Sequence, residues 1–159
     1  MSYRKRTADL SDYSNILALI NDGKEQMKYA GITQWDDSYP SKEVIRKDIE
    51  KKHLWLYGDH YEASVTVSKH GRTAFIHRLV VSSKYQRSGI ARFILSDIIQ
   101  QEKIIHDVTQ LKISTNHSNI PIQHLLASLN FVPCRIYTMP GREQFGDFTE
   151  FIYPIRICK

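Results

Sequence analysis

The chain has 159 residues, 42% of them apolar and 25% charged, with a formal net charge of +5. That length suits one domain, expected over residues 1–159, and that balance excludes a disordered or fibrous chain. No apolar run approaches the ~18–20 residues of a membrane span, and the basic N-terminus has no apolar stretch behind it, so a cytoplasmic protein is expected. The excess of positive charge suggests a polyanion. However, Lys42, Arg46, Lys47, Lys51 and Lys52 interleave with Glu43, Asp48 and Glu50, which reads as a solvated helix face, and nucleic acid ranks low as a partner. Cys134 and Cys158 form no C-x-x-C pair and no H-E-x-x-H is present, so two reduced thiols and no metal site are expected.

In chain order, Tyr3–Thr7 reads as a short strand. Asp9 or Ser11 then caps a helix whose Tyr13, Ile16, Leu17 and Ile20 recur at helical spacing. Gly31 to Pro40 reads as a loop, and Pro40-Ser41 opens a second helix with Val44, Ile45 and Ile49 inward. Three strands follow: His53–Tyr57, Tyr61–Ser68 with Ala63, Val65 and Val67 on one face, and Thr73–Val81. Ser82–Ser88 is a loop, and Gly89 opens a helix that shares Ile90, Phe93, Ile94 and Ile98 on one face. A strand at Leu111–Ser114, a helix at Ile120–Leu129, and strands near Phe131–Tyr137 and Phe148–Ile155 complete the order. Hairpin-linked strands followed by β-α-β units imply an α/β (α+β) fold: a mixed, mostly antiparallel sheet of about seven strands with helices on both faces.

The stretch most informative about chemistry is Leu79-Val80-Val81 followed by Gln86-Arg87-Ser88-Gly89-Ile90-Ala91. A buried strand runs through a loop into a helix, whose first N–H groups are unpaired and attract phosphate. Gly89 and Ala91 let a ligand approach the backbone, and Lys84, Arg87 and Arg92 add charge. Neither G-x-x-x-x-G-K-[ST] nor G-x-G-x-x-G is present.

Q-x-x-G-x-A after a strand ending R-L-V-V resembles the acetyl-CoA signature of the GNAT superfamily of N-acyltransferases. Ser114-Thr115, Asn119, Leu125, Leu126, Leu129 and Asn130-Phe131 are similar to the family's T-x-x-x-N…L-L…G-F segment, and Arg6 to Asp12 is similar to its R-x-A-x-x-D start. The resemblance implies an acyl-CoA N-acyltransferase fold that uses acetyl-CoA as cosubstrate. It implies that Leu79, Val80 and Val81 pair with the pantetheine arm through their backbones, and that an N–H of Val80 or Val81 polarises the acyl carbonyl. It further implies that Gln86, Arg87, Ser88, Gly89, Ile90, Ala91 and Arg92 hold the pyrophosphate, and that Asn119 hydrogen-bonds near the pantetheine. Two positions depart from the pattern. Asn130 stands where the family has Gly, and Asn accepts a left-handed backbone. Leu126 stands where many members place a Tyr acid seven residues after the Asn, on the helix face expected to meet the cofactor.

His77 is the base candidate. Two-residue alternation puts it on the side of Phe75, Leu79 and Val81, and an imidazole titrates near neutrality. The plain alternative is a strand histidine that only packs. Glu62 is a weaker candidate. Trp35, Asp36, Asp37 and Tyr39 lie where the family builds its acceptor pocket, and aromatic faces with carboxylates suit a cationic amine. They serve equally well as loop anchors. The remaining histidines show no metal spacing. The expected function is acetyl transfer from acetyl-CoA to a primary amine, on a small molecule or a peptide N-terminus, by direct attack. The alternative is a non-catalytic acyl-CoA sensor or partner-binding module. A homodimer stays open.

Overall fold

In the computed structural model, which describes residues 2–155, the start of the chain is organised around one buried carboxylate. Strand β1 (Lys5–Thr7) leads through a short 3-10 turn at Leu10–Asp12 into helix α1 (Tyr13–Ala30). Arg6 donates to both oxygens of Asp12, at 2.8 and 2.7 Å, and Tyr61 donates its hydroxyl at 2.7 Å. Asp9 and Asp12 form a reciprocal capping box. The Arg6 guanidinium, acting against burial, holds the Asp12 carboxyl far below its ordinary range.

Helix α1 buries Ile16, Leu19, Ile20 and Gly23, while Tyr13 and Leu17 pack at the edge of the same cluster. Helix α2 (Lys42–Glu50) is capped by Ser41, whose hydroxyl accepts from the Val44 N–H at 3.1 Å. It buries Ile45 and Ile49 and also Asp48, so Asp48 does not belong to the solvated face expected of it.

Strands β2 (Leu54–Tyr57), β3 (Ala63–His70) and β4 (Thr73–Val81) form an antiparallel meander. Helix α3 (Ile90–Ile105) crosses over to β5 (Gln110–Asn116), which runs parallel to β4. After helix α4 (Ile120–Ser128), strands β6 (Val132–Thr138) and β7 (Asp147–Pro154) complete a seven-stranded sheet of order β1-β2-β3-β4-β5-β7-β6. All neighbours but β4 and β5 are antiparallel. Asn130 ends α4 with φ 72, and the Phe131 N–H returns to the Leu126 carbonyl at 3.0 Å, so Asn does here what Gly does elsewhere. Among the described residues no helix is long and apolar enough to cross a membrane.

The sheet separates two apolar layers. Helices α3 and α4 cover one face over Ala63, Val65, Ala74, Ile76, Leu111 and Ile113. Helices α1 and α2 cover the other over Leu54, Leu56 and Val80. Contact there is closest at Gly23. A Cβ on it would stand 2.7 Å from Val80 Cγ2 and 3.1 Å from the Trp35 ring. Gly23→Ala gains helix propensity but overpacks this point, so it should lower stability by about 1–3 kcal/mol in urea denaturation. Most of that loss should be recovered in the double variant Gly23→Ala/Val80→Ala, measured against Val80→Ala alone. A more stable Gly23→Ala would show that the helix shifts freely.

Candidate active site

The site begins where β4 departs from regular pleating. Between the pairs Ser64↔Val80 and Thr66↔His77, β3 advances two residues while β4 advances three. The extra residue is a bulge at Arg78, whose φ is 50. Arg78 reaches Asp48 with Nε at 2.6 Å and Nη2 at 2.8 Å, and donates from Nη1 to the Tyr39 hydroxyl at 3.1 Å. The bulge corrects the alternation expected for His77. His77 and Arg78 both face the α1/α2 side with Phe75, whereas Leu79 and Val81 have turned to the α3 side.

The last residues of β4 and β5 to pair are Ile76 and Ile113. Beyond them the strands part: β4 runs on to Val81 with only β3 beside it, and β5 runs on to Asn116 with only β7. The edge of β4 at Leu79, Val80 and Val81 thus has no strand on the β5 side.

At the end of β4, a 3-10 turn at Ser83–Tyr85 precedes the start of α3. Arg87 and Gly89 both have positive φ, 62 and 81. Gly89 is the N-cap, with no side chain capping the helix, and the first helical bond runs from Phe93 N–H to its carbonyl. A Cβ on Gly89 would meet nothing within 4 Å, so the position opens outward. A shallow depression is lined by Tyr85, Gln86, Arg87, Ser88, Gly89, Ile90, Ala91 and Arg92. These are donors and positive charge arranged for an anion. The Gln86 amide is engaged by protein groups. It donates to the Val81 carbonyl at 2.9 Å and to Gln26 at 2.6 Å, and Gln26 donates to the same carbonyl at 3.0 Å. Its role is to fix the loop to β4 and α1. Arg92 donates to Ser128 at 2.8 Å.

On the α1/α2 face, over the point where the strands begin to part, lies a cleft of about 250 Å³. Phe75, His77, Ser114, Tyr137 and Phe148 line it together with Trp35, Tyr39, Lys112, Met139, Arg142 and Glu150. The His77 ring stacks on Phe75 at 6.0 Å and shares a 3.3 Å hydrogen bond with Ser68. Burial, aided by the charge of Arg78, pushes its pKa down to about 4. The imidazole is therefore present but neutral, and it supplies no titration near neutrality.

Trp35 and Tyr39 do line the cleft, although Trp35 is 5% exposed and belongs to the α1 core. Asp36 shapes the loop. One carboxylate oxygen accepts from the Ser38 and Tyr39 N–H groups, both at 2.9 Å, and the other faces Arg142 at 3.5 Å. Burial opposes its ionisation, but the bonds from Ser38 and the charge of Arg142 still hold its carboxyl below the ordinary range. Asn119 caps α4 by accepting from Ile122 N–H and donates to Gln34 Oε1 at 2.9 Å, so its amide is already engaged. Gln34 Oε1 also accepts from the Thr115 hydroxyl at 3.0 Å. Glu62 lies elsewhere, closing the turn at Gly58 and His60. Leu126 is wholly buried in the α3 cluster, where the expectation was a position facing the cofactor.

Sequence reasoning missed Arg78, Asp48, Lys112, Arg142 and Glu150. Glu150 is 6% exposed in the cleft wall, between Lys112 and Arg135 at 3.3 Å each. Cys134 is exposed and free, and Cys158 lies outside the described residues.

Comparison with known proteins agrees with this architecture. A family model described as the acetyltransferase (GNAT) domain matches residues 24–128, and the chain belongs to that family. No curated protein matches it in sequence. Among solved structures, a GNAT-family acetyltransferase from Streptococcus agalactiae superposes with a TM-score of 0.82 at 19% identity, over 97% of this chain and 96% of that one. The ribosomal-protein-S18-alanine N-acetyltransferase of Escherichia coli gives 0.76 at 17%, over 99% and 96%. The yncA protein of Salmonella typhimurium, solved with its cofactor acetyl-CoA, gives 0.72 at 16%, over 100% and 97%. At these identities the likeness is one of fold.

Two outcomes follow. The unfolded His77 titrates near 6.5 and the folded one near 4, so the unfolded chain binds more protons in that window. Stability should fall as pH drops from 6.5 toward 4, by up to about 3 kcal/mol from this residue. His77→Phe should flatten that part of the profile, and equal slopes would mean that the imidazole titrates normally. Leu126→Tyr should cost about 1–3 kcal/mol by overpacking. A Tyr variant as stable as the parent would show room at that position.

Proposed function

We propose that this chain transfers the acetyl group of acetyl-CoA to a primary amine held in the cleft. The observation that carries the reading is the parting of β4 from β5. One parted strand ends at an uncapped helix N-terminus, and the gap opens onto a cleft holding a neutral imidazole. The cradle suits the cosubstrate: the Gly89 position is open, three cationic side chains are exposed beside it, and β4 has no strand beside Leu79–Val81, its Val81 carbonyl alone being taken by Gln26 and Gln86. Leu79–Val81 would hold the pantetheine arm as an added strand, and Gln86–Arg92 the pyrophosphate. Acetyl-CoA would supply an activated thioester. Neutral His77 would accept a hydrogen bond from the incoming amine, and the aromatic walls would exclude water. Support also comes from the family and from the Salmonella relative that carries acetyl-CoA. The Escherichia coli relative acts on a protein alanine, so a peptide N-terminus stands beside small amines as acceptor.

Acetyl-CoA should raise the melting temperature, since a ligand at ~100 times its Kd adds about 2.7 kcal/mol to the folded state. Gly89→Glu should abolish the shift by placing bulk and negative charge in the cradle. Free thiol should appear when an amine panel is added. Binding without thiol release would favour a sensor, and no binding by calorimetry would remove the reading altogether.

A further inference from the structure

The cations around the cleft differ in how completely they are satisfied. Arg78 has all three of its nitrogens engaged, by Asp48 and Tyr39. Lys112 faces Glu150 at 3.3 Å. Arg142 is different. Its side chain is 13% exposed, and its guanidinium carbon stands over the ring of Tyr39 at 5.0 Å and over that of Phe145 at 4.4 Å. Only Nη2 has acceptors, and both are long: the Gln34 carbonyl at 3.3 Å and Asp36 at 3.5 Å. Nε is buried without any partner, and no described residue accepts from Nη1. A buried charged donor left unpaired is costly, and Nε and Nη1 together offer an acceptor two donors on one guanidinium. A planar guanidinium of this kind matches a carboxylate.

The rest of the cleft states what such a carboxylate is attached to. His77 and Ser114 are the first residues past the last β4–β5 pair, so the reacting amine belongs at that end. Arg142, on the loop between β6 and β7, lines the same cleft, with apolar Phe75, Ile113, Tyr137, Met139 and Phe148 among the lining. The volume of about 250 Å³ is that of a small molecule. Building on the acetyl-transfer reading, we infer that the acceptor is a free amino acid with an apolar side chain, its carboxylate bound by Arg142 and its amine presented at the parted strands.

The experiment pairs acceptors that lack the α-carboxylate or carry it elsewhere: leucine with isoamylamine, phenylalanine with phenethylamine, leucine with leucinamide, and leucine with leucyl-glycine, whose carboxylate is one residue farther from the amine. Thiol release should give kcat/KM at least ~10-fold higher for the free acids, the scale of one charge-assisted hydrogen bond. Arg142→Ala should erase the preference by raising KM for the acids ~10–100-fold, with kcat/KM for the amines nearly unchanged, and Arg142→Lys should restore part of it. An acetyl-CoA melting shift retained in both variants would show that the fold is intact. Equal rates for acids, amines and amides in the parent would overturn the inference while leaving acetyl transfer standing, and faster leucyl-glycine would point to peptide N-termini instead. A second measurement needs no turnover: N-acetyl-leucine and N-isoamylacetamide titrated by NMR. Binding of the first alone, lost in Arg142→Ala, would support the inference even if thiol release failed. Binding of neither would overturn it.

Discussion

The bidentate pair between Arg78 and Asp48 is the contact from which the site follows. Arg78 occupies a left-handed backbone conformation that a non-glycine residue adopts only at a cost. Buried charges require partners, and here the partner comes from a helix packed on the sheet, so one pair fixes a strand's local geometry and a helix's position together. The inserted residue turns β4 and resets which side chains face which layer. Without it, Leu79 would point at α1 and Val80 at α3, and His77 would not share a face with Arg78. The parting of β4 from β5 begins within two residues of the same point.

That parting divides the work between two ends of the gap. The helix N-terminus after β4 offers backbone donors and exposed cations, features that attract negative charge without shaping a site closely. The cleft offers aromatic walls and charges that are mostly paired. The amide of Gln86 shows how the two are joined: it grips the Val81 carbonyl and reaches Gln26 on α1, so the loop before α3 is secured by the helix that also carries the loop of Trp35 at its end.

Much of this was legible in the sequence. Element order and the limits of β4 were readable because hairpin turns and period-two apolar patterning are local signals. The loop at Gly89 was readable because a glycine there meets both a left-handed backbone and an open surface. The face of His77 was not, since alternation holds only while no residue is inserted, and Arg78 carries no local mark of a bulge. Asp48 looked solvated because its partner lies thirty residues away. The partners of Gln86 and Asn119 were not legible, because their amides bind protein groups that come from β4, from α1 and from the loop after α1. Arg142 and Glu150 stand in a stretch whose composition is that of any surface hairpin, and only the pairing of β7 with β5 and β6 brings them to the cleft.

Gln34 carries a consequence for how the molecule assembles. Its side-chain oxygen accepts from Thr115 and Asn119, and its carbonyl accepts from Arg142, across sequence separations of 81, 85 and 108 residues. Closing loops of that length precedes any gain from the contacts, so this wall of the cleft forms after the β2–β4 meander has its hairpins. The loop is therefore held from two sides: Trp35 anchors it in the α1 core, and Gln34 ties it to β5, to the start of α4 and to the loop between β6 and β7, so loosening the second attachment leaves the first in place.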